Sequence, residues 1–185
     1  MVFCVAQAQG SVTFPANFML VGAMNPCPCG YFGDPVKPCT CSPGLIYRYR
    51  RRISGPLLDR LDIFIEVPRL EYEKLSDERT GESSADVQAR VEAARTIQRE
   101  RFSGTKLSCN ADMTPVEVRQ FCRLEKEGQS LLRAAMKQLS LSARGFHRVL
   151  KLARTIADLA GEGNIGPVHL AEALQYRPRD LYNIY

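Results

Sequence analysis

No stretch of this 185-residue chain approaches the roughly 20 apolar residues of a membrane span. The N-terminus has no charged region leading into a sustained apolar core, so neither a membrane partner nor secretion is expected and the cytosol is the expected compartment. Also missing is any Gly-Lys pair, and with it the G-x-x-x-x-G-K-S/T loop that cradles nucleotide phosphates with backbone N–H groups and a lysine. Internal repeats and low-complexity tracts are absent too. Charge is nearly balanced, with 25 Lys and Arg against 20 Asp and Glu and a net +5. That permits a nucleic-acid or nucleotide-phosphate partner without requiring one.

What is present suits two compact pieces, since 45% apolar residues can supply a core for each. Residues 1–70 read as α/β. Gly10 to Pro15 is expected to be extended, and Phe18-Met19-Leu20-Val21-Gly22-Ala23-Met24 to be a buried strand of a parallel sheet, where both faces are covered and alternation is lost. Asn25-Pro26 stops it. A loop dense in Pro, Gly and Cys runs to Gly44, two short helices follow, and Asp62 to Val67 reads as a second strand.

Residues 71–185 read as all-α, with helical character from Tyr72 onward. Ser83 or Ser84 can cap a helix whose Val87, Val91, Ala94 and Ile97 share one face, leaving Arg95, Arg99 and Arg101 to solvent. Thr114-Pro115-Val116-Glu117 combines a cap, a first-turn proline and a glutamate three residues on. Further helices are expected over Leu131 to Leu139, Ala143 to Ala160, ended by Gly161, and from Pro167 through Leu174.

Several residue patterns carry chemistry. Cys27-Pro28-Cys29 and Cys39-Thr40-Cys41 are close pairs among the seven cysteines, and in a reducing compartment such pairs favour metal over disulfide. Four thiolates can meet around a structural zinc or stay unligated, and they leave no open position for catalysis. Asn25 at a strand's end is either a turn residue or an amide that orients a water. Arg60, after Gly55-Pro56-Leu57-Leu58-Asp59, is either a surface arginine paired with Asp59 or Asp62 or a guanidinium for a transferring phosphoryl group held by a neighbour. Arg144 opens a helix, where the dipole favours anions, so it is either a solvent-facing arginine at a small cost or one held there for a docked anion. His147 has no partner cluster in sequence.

The order Ala23-Met24-Asn25-Pro26, the Cys loop, Arg51-Arg52-Ile53-Ser54-Gly55-Pro56-Leu57-Leu58-Asp59-Arg60-Leu61-Asp62 and Leu141-Ser142-Ala143-Arg144-Gly145-Phe146 resembles the C-terminal part of the magnesium-chelatase-like AAA+ ATPases of the ComM/YifB family. The resemblance runs from about Gln9 to Arg177. It implies a partial AAA+ αβα core over 1–70 and a helical connector and lid over 71–185. It also implies sensor 1 at Asn25, the arginine finger at Arg60 and the sensor 2 arginine at Arg144.

A homo-oligomeric ring, expected to be a hexamer, would use ATP with Mg2+ at its subunit interfaces and act on DNA, in branch migration or as a helicase during natural transformation. Gly10 to Phe14 falls where related motors carry a pore hairpin. Without the phosphate-binding loop, and with Asp62 to Glu66 lacking the acidic pair of a magnesium strand, the chain is not expected to hydrolyse ATP alone. A truncated gene product, a mis-called start or a cloned piece would give this pattern. The alternative is a non-enzymatic, zinc-stabilised module that binds nucleic acid through Arg48, Arg50, Arg51 and Arg52, or one that caps a ring.

Overall fold

The computed structural model describes residues 2–7, 10–15, 18–70 and 81–177. The helical character expected over residues 72–80 lies outside the described residues. The chain divides into two units, Met1–Tyr49 and Arg50–Tyr185.

In the first unit β1 (Val2–Gln7) pairs antiparallel with β2 (Gly10–Pro15), from Val2 opposite Pro15 to Gln7 opposite Gly10. The extended segment expected at Gly10 is therefore one arm of a hairpin. After it the expected buried strand does not form: Phe18 to Met24 has no strand pairing, and Phe18, Met19 and Val21 are 73%, 85% and 84% exposed. A strand is made by its neighbour, and this apolar run has no ladder partner among the described residues. The segment from Pro26 to Ser42 is a series of tight turns, and α1 (Pro43–Arg50) follows it.

The second unit begins at the short helix α2 (Gly55–Leu58), with Pro56 in its first turn and Ser54 before it. The strand expected over Asp62 to Val67 is also absent, and Ile65 and Val67 are 69% and 87% exposed. The α/β layer expected for residues 1–70 is thus not assembled among the described residues, where the β1–β2 hairpin is the sheet. The α/β expectation omitted the need for a sheet to hold these two runs.

The helical expectation fares better. The described residues contain seven helices; beyond α1 and α2 these are α3 (Ser84–Arg101), α4 (Pro115–Phe121), α5 (Lys126–Gln138), α6 (Ala143–Leu159) and α7 (Pro167–Gln175). A 3-10 turn, Asn110–Asp112, precedes α4. Ser83 caps α3 by accepting the Asp86 N–H at 3.2 Å. Thr114 caps α4, its N–H donating to Glu117 Oε2 at 2.7 Å while its hydroxyl accepts from Val116. Gly161 ends α6 at φ +73, the left-handed conformation glycine adopts freely.

Helix α5 starts five residues before its expected position. Its N-cap, Glu125, makes no side-chain cap bond, and Gly128 sits in the first turns, so neither local start signal is present. Packing decides instead. Gly128 is buried with Leu124 against it, where a methyl group would meet the Leu124 side chain at 3.5 Å.

The core is built around α6, whose Val149, Ala153 and Ala157 are fully buried at helical spacing, joined by Leu170 and Ala173 of α7. Small residues let the two helices approach closely, while Phe102 meets Phe121 edge-on at 5.7 Å between centroids. The α3 stripe is buried only at its end. Ala94 and Gln98 are buried, whereas Val87 and Val91 remain exposed.

Candidate functional site

The turns of the Cys loop bring its four thiols together. Gly30, at φ +84, lets its N–H return to the Cys27 carbonyl at 3.0 Å, folding Cys27 and Cys29 onto one side of a turn. Asp34 fixes the intervening loop by accepting the Val36 and Lys37 N–H groups at 2.8 Å. The sulfurs of Cys27, Cys29, Cys39 and Cys41 then lie within 4.8 Å of one another, with Cys27 buried. Sγ separations are 3.3 Å for Cys27–Cys29, 3.5 Å for Cys29–Cys39 and 3.7 Å for Cys27–Cys39. A tetrahedron of thiolates about 2.3 Å from a zinc ion has edges of about 3.8 Å. The donor set fits that ion.

Backbone groups tune the sulfurs unequally. The Tyr31 N–H is the main influence that brings the Cys29 thiol down to about 5. At Cys39 the Cys41 N–H, 3.4 Å from the sulfur, pulls downward, yet burial and the neighbouring sulfurs together push the thiol up to about 12. Thiols this close cannot all become anions without a compensating cation. The arrangement can bind a soft cation.

Asn25 lies beside this cage, its amide about a van der Waals distance (4.0 Å) from where a Cβ on Gly30 would stand. It is exposed, and its side chain has no hydrogen bond among the described residues.

Arg60 belongs to the second unit and is exposed just beyond α2. Its Nη1 donates to the Pro56 carbonyl at 2.7 Å, and it has no carboxylate partner among the described residues. The surface pair considered from the sequence is therefore not made. Asp62 instead receives Arg148 Nη1 of α6 in an ion pair.

Arg144 is in the first turn of α6, exposed and without a polar partner among the described residues. Ser142 caps that helix by accepting the Gly145 N–H at 3.1 Å. His147 Nδ1 lies 2.7 Å from the Ala143 carbonyl, a local bond that needs no ligand. The predicted residues thus form two groups. The thiols and Asn25 share the first unit; Arg60 and Arg144 share the second.

Sequence reasoning missed a buried polar centre in the bundle. Asp158 is 2% exposed, is bound by both guanidinium nitrogens of Arg101, and accepts from Arg154 Nε at 3.1 Å and Asn110 Nδ2 at 2.8 Å. Arg154 also reaches the Gly163 carbonyl at 2.7 Å. Arg101, expected on a solvated face, is turned inward because the α6 carboxylate needs a second cation. The missed signal was Leu150, Arg154 and Asp158, one row at four-residue spacing that continues the apolar face. This centre is structural: its carboxylate is closed off from solvent and shared by Arg101 and Arg154.

Two family models match this chain. Residues 1–75 match the family "Magnesium chelatase, subunit ChlI", and residues 81–177 match "Magnesium chelatase, subunit ChlI C-terminal". Competence protein ComM of Haemophilus influenzae is 43% identical over 174 residues, 94% of this chain and 33% of that protein. YifB of Escherichia coli is 42% identical over 177 residues, 95% of this chain and 34% of that protein. YifB of Salmonella typhimurium is 38% identical over 177 residues, covering the same shares. The chain thus spans about a third of the length of these relatives. It belongs to the magnesium-chelatase-like AAA+ family that includes ComM and YifB.

Proposed function

We propose that this chain supplies the sensor, finger and lid portion of a ring-forming AAA+ motor that hydrolyses ATP and acts on DNA. The observation that carries it is Arg60. An exposed guanidinium held by one carbonyl and, among the described residues, by no carboxylate keeps most of its donor fork for a phosphate. On this reading Arg60 serves a nucleotide bound by a neighbouring subunit, as an arginine finger does. Asn25 supports the same reading, since its amide has no partner among the described residues and can orient an attacking water. Arg144 points the same way, as an unpaired cation in a helix turn that favours anions.

Phe18 to Met24 and Asp62 to Val67 would be strands of an αβα core completed by segments outside this chain, which accounts for their exposed apolar side chains. Cys27, Cys29, Cys39 and Cys41 would hold a structural zinc, whose chemistry is that of a cross-link: four sulfurs close its coordination. The β1–β2 hairpin is the candidate DNA contact.

The test is ATP turnover by the intact ring carrying this segment. Arg60→Ala should lower kcat by about a thousandfold with ATP affinity retained. An unchanged kcat, or loss of ATP binding itself, would overturn the assignment. The chain alone should show no turnover; hydrolysis lost on Arg60→Ala would contradict the inter-subunit role.

A further inference from the structure

The stretch that follows Arg60 has little apolar burial to hold it. Ile63, Ile65 and Val67 are all exposed, and no strand ladder fixes their backbone among the described residues. Three polar contacts with the helical bundle hold it instead. Arg148 of α6 pairs with Asp62. Arg177, just past α7, donates from Nη1 to the Leu61 carbonyl at 2.9 Å and lies 5.9 Å from the Phe64 ring centroid. The Phe64 N–H donates to the Tyr176 carbonyl at 3.0 Å.

Arg177 is 4% exposed although its Nε has no hydrogen-bond partner among the described residues. Burial draws its pKa down, while Asp59 and Asp62 oppose that shift and Arg148 adds to it. A buried guanidinium with an unsatisfied N–H is tolerated where the surroundings over-determine its place. Here the surroundings are the finger segment. Arg148 also lies one helical turn beyond Arg144, so the helix that holds Asp62 carries Arg144 at its start.

We propose that Asp62, Arg148 and Arg177 are positioning residues that clasp the Arg60 segment to α6 and α7, so that Arg60 and Arg144 move as one rigid body. This rests on the motor reading above and adds regulation to it. A finger serves the nucleotide of one interface, and a lid arginine answers to the nucleotide bound beside it. Tying both to one body makes a shift of the helical bundle at one interface a displacement of the finger at the other. The clasp is what carries the bundle's position to the finger.

Hydrogen exchange on this chain tests the clasp, with the Phe64 amide as reporter. Arg148→Glu should speed Phe64 exchange by about tenfold while Val149 and Ala153 amides in the core keep their protection. The charge-swapped pair Asp62→Arg with Arg148→Asp should bring Phe64 back to within about threefold of the parent. Unchanged Phe64 exchange in Arg148→Glu, or no recovery in the swap, overturns the clasp.

In the intact ring, Arg148→Glu should lower kcat by at least about tenfold without weakening ATP binding, with recovery in the swap. A normal kcat despite fast Phe64 exchange would mean that the contacts hold the segment without positioning Arg60, and the proposal fails. If instead Arg60→Ala leaves kcat intact while the exchange results hold, the motor reading fails and the clasp stands.

Discussion

The Cys loop and the helical bundle solve the same problem by different means. The bundle buries Val149, Ala153, Ala157, Leu170 and Ala173 completely and closes its polar centre on Asp158, so hydrophobic transfer and charge pairing fix it without outside help. From Phe18 to Ser42 the only fully buried side chain among the described residues is Cys27. Its order comes from Gly30, Gly33, the Asp34 turn and four converging sulfurs. A segment with so little apolar burial cannot offset its backbone entropy by packing. The comparison teaches where each region is vulnerable: one to loss of a charge or a core methyl group, the other to loss of a metal.

The sharpest way to break the comparison is at the sulfurs. Metal analysis of the purified chain should find one zinc per chain, and Cys27→Ser should abolish tight binding. The thermal unfolding of the bundle should be unmoved. Because protons compete for thiolates, zinc should also be released progressively as pH falls. A zinc-free wild-type chain, or a bundle that melts with the metal, would erase the distinction.

Asp158→Ala tests the other side. It leaves Arg101 and Arg154 without their shared carboxylate, and urea unfolding should show a loss of about 3–5 kcal/mol while zinc content stays constant. A loss below about 1 kcal/mol would mean that the bundle does not depend on its polar centre.

The smallest effect concerns the start of α4. Thr114→Ala should cost about 1 kcal/mol in the same urea measurement. Glu117, whose pKa is lowered chiefly by the Thr114 hydroxyl and N–H, should matter only when charged. Its contribution is present above the ordinary glutamate range and fades as pH falls through the lowered value. The stability gap between wild type and Glu117→Gln should therefore narrow on acidification; a constant gap would show that the carboxylate charge is irrelevant.

How legible these regions were in sequence follows from what each depends on. Local signals sufficed for Ser83, Thr114 and Gly161, which mark helix ends through bonds to residues within one turn. They sufficed as well for the four cysteines, since spacing and turn residues alone bring the sulfurs together. They failed for Phe18 to Met24, whose expected strand depends on a neighbour that its own residues cannot supply. The inward turn of Arg101 was equally hidden, because its reason is Asp158, 57 residues away. For Arg60, sequence supplied the residue and a choice of partners. The structure removed both carboxylates from that choice, through the Pro56 bond and the Arg148–Asp62 pair.

The contact between Arg177 and Leu61 has a consequence for the time course of folding. It joins residues 116 apart, about twice the 57 that separate Arg101 from Asp158. A doubling of loop length raises the closure cost by only about 0.6 kcal/mol, so distance along the chain scarcely weakens this contact at equilibrium. Rate is another matter, since long-range contacts slow the search, and Arg177, which meets Leu61, stands just past a helix that must first be packed. The segment after Arg60 should therefore gain its protection from exchange last during refolding, after α6 and α7 have found each other.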